Sequence, residues 1–246
     1  MIIKEESTQN WLLHRFGVVI DPNDLPIVST KALDKNRVGP SFTDTFGKKE
    51  IYGFVGFIDL KAFSSFCYKK TPEQIRDYLL PFLTNITNLL TENHCLIDKT
   101  IGDEIMFILP YMEENKGLPG LIMLGRLFGS IYYSYIQNVD YKFRIGLSYG
   151  KLYLDELKIS EYSEWMIFGE SIHVAKRLMS ISELQEPNSI IAAIGVRDDL
   201  IPQIMPQLDT VNMNCTGFHS NWKSDTILKC DLKGVGSINY SIWRPK

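Results

Sequence analysis

The first clear element in the pattern of hydrophobic positions is an almost unbroken apolar run, "EIYGFVGFIDL", at residues 50–60. Aromatic and β-branched residues dominate it, which is typical of a strand buried in a sheet. Residues 1–48 lack such a run and are rich in proline and glycine. They predict an N-terminal arm ahead of one main domain at residues 49–246.

Helical and alternating patterns follow one another after this strand. Thr71 as N-cap, followed by Pro72 and Glu73, predicts the start of a helix. The order continues with strand, strand, helix, strand, helix and strand. The elements are "HCLIDKT", "EIMFILP", a helix over 117–137, "YKFRIGLSYGKLYL" as two strands bent at Gly150, the helix "GESIHVAKRLMSISEL", "NSIIAAI", and a last strand pair around a glycine-rich turn. This order predicts an α+β fold, a ferredoxin-like or palm-type antiparallel sheet with helices on one face.

Composition narrows the possible functions. The chain has 246 residues, 45% of them hydrophobic, and a net charge of -3, so it has no general attraction for nucleic acid or anionic membranes. The four cysteines form no C-x-x-C pair, which argues against a thiol-rich zinc site and suits a reducing cytosol. The most apolar region is interrupted by Arg126, and the first ten residues have no apolar signal core. We therefore expect a cytoplasmic protein without an integral membrane segment.

Two carboxylates lie at positions where strands end. Asp59 closes the apolar strand, and Asp103 lies in the turn of the hairpin "IDKTIGDEIMF". If the two strands are neighbours, the carboxylates converge and repel each other unless a cation lies between them. Mg²⁺ prefers such oxygen ligands. The alternative is that each aspartate is a solvated residue of a strand end or a turn.

Five segments, taken in order, resemble the motifs of class III nucleotidyl cyclases. They are "FIDLKAFS", "IDKTIGDEIMF", "FRIGLSYGKLYL", "IFGESIHVAKRL" and "LKGVGSINY", and they span residues from about 51 to 243. The resemblance implies that Asp59, Asp103 and the Leu60 carbonyl hold two Mg²⁺ or Mn²⁺ ions over a nucleoside triphosphate. It also implies that amides of residues 61–64, including Phe63 and Ser64, bind the phosphates.

The same resemblance assigns roles to four basic or polar side chains. Arg177 corresponds to the family arginine that stabilises the transition state, and His173 stands where the family has a ribose-orienting asparagine. Lys151 and Lys233 match basic residues near the triphosphate. In this family the metal aspartates come from one subunit and the arginine from the other. We therefore expect a homodimer with composite active sites.

The base-reading positions depart from the adenylate cyclase pattern. Lys99 matches the family lysine, but its partner position holds Met166, whose side chain makes no useful hydrogen bond. The compact chain with this pattern resembles the pyrimidine cyclases of the bacterial antiphage system called Pycsar. That resemblance implies cyclic UMP or cyclic CMP as the product, UTP ahead of CTP as the substrate, and a product-sensing effector protein encoded elsewhere.

Three other interpretations remain open. An adenylate cyclase with a relaxed base pocket would make cyclic AMP. A degenerate cyclase domain would bind nucleotide as a module without turnover. A diguanylate cyclase would account for the hairpin "IGDE", but it leaves "HVAKRL" and "KGVG" unexplained.

Overall fold

The computed structural model describes residues 50–93, 95–111, 117–136, 141–159, 162–186, 190–196, 222–224 and 228–245. The predicted arm, residues 1–48, lies outside them and stays a prediction. No helix in this described part of the chain is long and apolar enough to cross a bilayer.

The described strands form one nine-stranded sheet with the order β2-β3-β1-β4-β6-β9-β7, in which β5 pairs with β4 and β8 with β9. Every pairing is antiparallel except β4 with β6. The predicted α+β class with an antiparallel sheet is thus confirmed. The strands are β1 Glu50–Leu60, β2 Leu96–Ile101, β3 Glu104–Tyr111, β4 Phe143–Ile159, β5 Tyr162–Phe168, β6 Ile191–Val196, β7 Trp222–Ser224, β8 Leu228–Leu232 and β9 Gly236–Pro245.

The described helices are few. They are α1 Phe63–Cys67, α2 Pro72–Glu92, α3 Gly117–Ile131 with a π-helical turn at Tyr132–Ile136, and α4 Glu170–Leu178, which is followed by a 3₁₀ turn at Ser182–Gln185. Helix α2 begins as predicted, because Thr71 accepts a hydrogen bond from the Gln74 amide and Gln74 returns one to the Thr71 amide.

The helices cover both faces of the sheet, which corrects the expectation that they all lie on one face. Helices α2 and α3 pack with Phe54 and Ile58 of β1. Helix α4 packs on the opposite face, with Val55 and Phe57. A strand covered on both faces needs an apolar residue at nearly every position, which explains the unbroken run in β1.

Strand β4 also differs from the prediction, since it continues through Gly150 without a break. A Cβ at Gly150 would lie 3.0 Å from the Cβ of Ser171, so the glycine allows α4 to approach the sheet. Strand β5, which pairs with β4, was not predicted, and neither was β7. The correction matters for the site, because the β4–β5 hairpin carries Met166.

Candidate active site

The two predicted metal aspartates lie side by side at one end of the sheet. Strand β1 pairs with β3 up to Ile58 opposite Ile105, so the end of β1 lies beside the β2–β3 turn. Gly102 opens that turn with a φ of 62°, a conformation that glycine adopts without strain. As a result, the side chains of Asp59 and Asp103 are within hydrogen-bond contact.

The environment of Asp103 disfavours its charge. Burial, followed by the contact with Asp59, raises the pKa of the Asp103 carboxyl from 3.8 to about 7. Backbone hydrogen bonds from Asp103 itself and from Leu60 offset part of this rise. Two carboxylates held this close favour a shared proton or a cation between them.

The donors at this point fit a hard divalent ion. Asp59 and Asp103 offer only oxygen, and the predicted third ligand, the Leu60 carbonyl, does too. Among the described residues, no group of three or more His, Cys, Asp or Glu side chains is gathered at one place. A site with two carboxylates suits Mg²⁺ or Mn²⁺, which takes its remaining ligands from water and substrate phosphates.

Arg144 completes this end of the site and was missed by sequence reasoning. It stands opposite Asp59 in the β1–β4 register, and its Nε and Nη2 lie 2.8 and 2.5 Å from Asp59 Oδ2. Its Nη1 donates to Gln185 Oε1 at 2.6 Å. No local pattern in "FRIGLSYG" indicates this contact, because it depends on the register between β1 and β4.

Further positive charge lies beside this arginine. The Lys61 ammonium donates a hydrogen bond to the Glu186 carbonyl, and Arg244 pairs with the Glu186 carboxylate at 2.7 Å. Burial lowers the pKa of Lys61 to about 8; Glu186 opposes this, and Arg144 and Arg244 add to it. Three cations thus lie next to the carboxylate pair, and each already has a partner within the chain.

The loop after β1 has an unusual backbone. Ala62, where the family motif has glycine, takes a left-handed conformation with a φ of 57°. The ring of Phe63 stacks 6.2 Å from Phe66 and 6.5 Å from Tyr78 and packs on the core. The predicted phosphate contact of Phe63 therefore has to come from its backbone amide. Ser64 is exposed.

Helix α4 presents the predicted transition-state arginine, Arg177, and the predicted ribose contact, His173, to the outside. His173 and Arg177 are both exposed and lie one turn apart. The opposite side of the helix is buried through Val174, Ala175 and Leu178. Neither His173 nor Arg177 has a side-chain hydrogen bond or ion pair within the described part of the chain.

The predicted base-reading residues lie on different hairpins. Lys99 Nζ is 3.3 Å from Oδ2 of Asp98, whose side chain is buried while that of Lys99 is half exposed. Met166 is partly buried on β5, and its cross-strand neighbour on β4 is Asp155. Met166, whose side chain makes no useful hydrogen bond, thus has the Asp155 carboxylate as its neighbour.

The two predicted phosphate lysines have different surroundings. Lys233 is exposed in the β8–β9 turn, which is shaped by positive φ angles at Gly234 and Gly236. Lys151 forms an ion pair with Glu50 at 2.7 Å. It stands opposite Tyr52, seven residues (59 − 52) before Asp59, or ~23 Å along the strand. The structure therefore does not bring Lys151 to the carboxylates of its own chain.

Comparisons with known proteins identify the family of this chain. The family model for the adenylate and guanylate cyclase catalytic domain matches residues 52–188. Uncharacterized proteins of Mycobacterium bovis and Mycobacterium tuberculosis are 25% identical over 146 residues, which cover 59% of this chain and 34% of each relative. The chain thus matches about a third of the length of these curated relatives.

Solved cyclase structures share the fold. The adenylyl cyclase CyaB from P. aeruginosa matches with a TM-score of 0.56 at 14% identity, over 80% of this chain and 95% of that one. The guanylate cyclase domain of RhGC from Catenaria anguillulae, in complex with GTP, matches with a TM-score of 0.54 at 15% identity, over 80% and 99%. The family match spans the strands that carry both aspartates, Arg144 and α4, so the chain belongs to the adenylate and guanylate cyclase catalytic domain family.

Proposed function

We propose that the protein is a nucleotidyl cyclase that converts a nucleoside triphosphate into the 3′,5′-cyclic monophosphate and pyrophosphate. The observation that carries the proposal is the contact between the carboxylates of Asp59 and Asp103 at one edge of the sheet. In this reaction the ribose 3′-oxygen forms a bond to the α-phosphorus. The bond between the α-phosphorus and the bridging oxygen breaks, pyrophosphate leaves, and the 3′-hydroxyl proton passes to solvent.

The chain's own residues supply binding and charge neutralisation. Bound Mg²⁺ or Mn²⁺ would activate the attacking oxygen and neutralise the phosphates. Asp59 and Asp103 would hold these ions, and Arg144 would stabilise phosphate charge next to them. Backbone amides at Phe63 and Ser64 would orient the phosphates. Positioning and electrostatic stabilisation account for most of the rate in phosphoryl transfer.

A homodimer would complete the site. Arg177 and His173 point away from the core on α4, and Lys233 is exposed in its turn. A second copy related by a two-fold axis would bring this set to the carboxylates of the first. Tyr153 and Phe168, opposite each other on β4 and β5, are 39% and 49% exposed and offer an apolar surface for that contact.

We propose a pyrimidine nucleotide as the substrate, UTP ahead of CTP. Met166 cannot form the hydrogen bond that the adenine-reading residue of the family makes, which removes a reason for adenine to be preferred. Lys99 would contact the base edge. In this proposal the cyclic pyrimidine nucleotide is a signal in antiphage defence, sensed by an effector protein encoded elsewhere.

One observation favours a second candidate, an adenylate cyclase. Asp155 lies across from Met166 and places a carboxylate next to the base-reading position. A carboxylate accepts hydrogen bonds from an exocyclic amino group, which adenine and cytosine have and uracil lacks. Asp155→Asn would weaken the use of ATP or CTP under this second interpretation and leave the use of UTP unchanged.

The test is incubation of the purified protein with ATP, GTP, CTP or UTP, each with Mg²⁺ or Mn²⁺, and mass spectrometry of the products. Asp103→Asn serves as the metal-site control. A cyclic pyrimidine nucleotide that is absent with Asp103→Asn is the expected result. Cyclic AMP would support the second candidate. Nucleotide binding without any cyclic product would overturn the proposed enzyme activity and indicate a nucleotide-binding module.

A further inference from the structure

We propose that Lys176 is a positioning residue: it holds the Glu104 carboxylate away from the metal aspartates and fixes α4 against the β2–β3 turn. The Lys176 ammonium forms an ion pair with the Glu104 carboxylate. The same ammonium lies 5.3 Å from the ring centre of Phe57. This inference rests on the proposed cyclase function and adds a residue for which the sequence assigned no role.

Glu104 is a spare carboxylate in a sensitive place. It follows Asp103 directly and begins β3, and its side chain is only 15% exposed. A mostly buried carboxylate requires a counter-charge, and in the described part of the chain Lys176 supplies it. Without this lysine, the Glu104 carboxylate, one residue after Asp103, would add an unpaired negative charge next to the Asp59–Asp103 pair.

A third carboxylate would change how tightly the site binds a divalent ion and how many coordination positions stay open for the substrate. More charged ligands bind a divalent ion more tightly, but they take coordination positions that substrate phosphates need. By pairing with Glu104, Lys176 keeps the protein's contribution at two carboxylates. Metal affinity and turnover are therefore expected to respond in opposite directions when this pair is broken.

The ion pair also connects the part of the chain that carries Arg177 with the part that carries Asp103. Lys176 directly precedes Arg177 on α4, whereas Glu104 directly follows Asp103. Their contact links α4 to the start of β3, while the buried side of α4 packs on β1 and β4. In the proposed homodimer, each chain gives its aspartates to one site and its arginine to the other. Lys176 would thus couple metal binding in one site to the geometry of Arg177 in the second.

The first test compares Lys176→Met with Lys229→Met, which removes an exposed lysine on β8. Methionine keeps an apolar stem against Phe57 and removes only the charge. Mn²⁺ affinity is measured by electron paramagnetic resonance without nucleotide, and kcat and KM by product formation. For Lys176→Met we expect Mn²⁺ to bind about 3- to 10-fold more tightly and kcat to fall about 10-fold with KM nearly unchanged. Lys229→Met should change neither.

A second variant separates positioning from a general charge effect. In the double variant Lys176→Met, Glu104→Gln, no spare carboxylate remains, so Mn²⁺ affinity should return to the wild-type value. Lys176→Arg, which keeps the charge, should retain both affinity and kcat. Unchanged Mn²⁺ affinity in Lys176→Met, or tighter binding that persists in the double variant, would overturn the proposal.

The outcome stays separate from that of the proposed function. If the wild-type protein forms no cyclic product from any nucleotide, the enzyme assignment fails, yet the nucleotide-free Mn²⁺ measurements still decide the role of Lys176. If Lys176→Met does not fold, the comparison of Glu104→Gln with wild type replaces it. A several-fold change of Mn²⁺ affinity there would overturn the proposal, because a carboxylate held away from the ions should contribute little.

Discussion

The two halves of the candidate site are built differently. At the end of β1, Asp59, Asp103 and Arg144 are joined by direct contacts within the chain. On α4, His173 and Arg177 are exposed, and within the described residues their side chains bind nothing. One half is preorganised by the fold, and the other is presented to the outside.

This difference indicates where the missing contacts come from. Charged groups that act in a transition state are most effective when they are fixed in advance and shielded from water. An exposed arginine on a helix meets neither condition alone. A second copy of the chain, related by a two-fold axis, would supply both conditions to two sites at once.

The largest predicted effect concerns the preorganised half. Asp103→Asn removes one of two carboxylates available to the ions, and a metal site with a single carboxylate should hold them poorly. We expect cyclic nucleotide formation to fall by about 10³-fold or more. Asp231→Asn, on the exposed side of β8, should keep full activity, as measured by product formation under saturating Mg²⁺. Substantial Mg²⁺-dependent turnover by Asp103→Asn would show that the ions are held elsewhere.

The next effect tests the exposed half. Arg177→Ala should lower kcat by about 10²-fold, the usual loss when one transition-state donor is removed. KM should change little, because the contact matters mainly in the transition state. A KM effect that exceeds the kcat effect would make Arg177 a ground-state contact instead.

Mixed dimers sharpen the comparison further. Asp103→Asn and Arg177→Ala inactivate different halves, so a mixed dimer has one complete site. After subunit exchange in an equal mixture, about half of the dimers are mixed, and activity should recover to about a quarter of the wild-type value. The control mixes Arg177→Ala with His173→Ala, which damage the same half. If only that mixture recovered, or if neither did, the composite site would be wrong.

Local patterns in the sequence were enough to locate most of the fold. The apolar run of β1, the capping box at Thr71 and the hairpin around Gly102 each depend on neighbouring residues, and each was predicted correctly. The convergence of Asp59 and Asp103 followed from the adjacency of β1 and the hairpin. These features need little information about distant parts of the chain.

The errors came from long-range packing. Gly150 was interpreted as a bend in the sequence, but it lies within a continuous strand, where its missing side chain leaves room for Ser171 of α4. Arg144 became part of the site only through its register with Asp59. Lys151 matched a motif, and the same register places it with Glu50 at the other end of β1 in its own chain, so its phosphate role stays a prediction. Such contacts between distant residues leave no local pattern.

A smaller effect follows from the repulsion within the preorganised half. The pKa of Asp103 is raised above its ordinary value, so the ionised form destabilises the metal-free fold. This penalty is absent below pH 4 and fully present above pH 7. At pH 8 and without metal, Asp103→Asn should raise the free energy of unfolding by about 1 kcal/mol, a modest gain because water screens the half-exposed group. Thermal unfolding in a chelator measures it.

Addition of Mn²⁺ should make the wild-type protein more stable than Asp103→Asn, the reverse of their order without metal. An ion that binds only the folded state raises the free energy of unfolding with the logarithm of the ratio of its concentration to Kd. Mn²⁺ should therefore raise the unfolding temperature of the wild-type protein and leave that of Asp103→Asn unchanged. Equal unfolding temperatures in the chelator at pH 8 would argue that the two carboxylates do not repel each other in solution.

The smallest effect lies in the loop next to the same aspartates. Ala62 has a φ of 57°, and this left-handed conformation costs an L-residue about 1–2 kcal/mol. Glycine removes that strain but gives up about 0.5–1 kcal/mol through its freedom in the unfolded chain. Ala62→Gly should therefore raise the free energy of unfolding by about 0.5–1 kcal/mol, or the melting temperature by about 1–3 °C. Ser65→Gly, at an exposed helical position in α1, should lower it instead. If both substitutions lowered the melting temperature equally, the left-handed conformation of Ala62 would be wrong, and the preorganised half of the site would carry no strain in this loop.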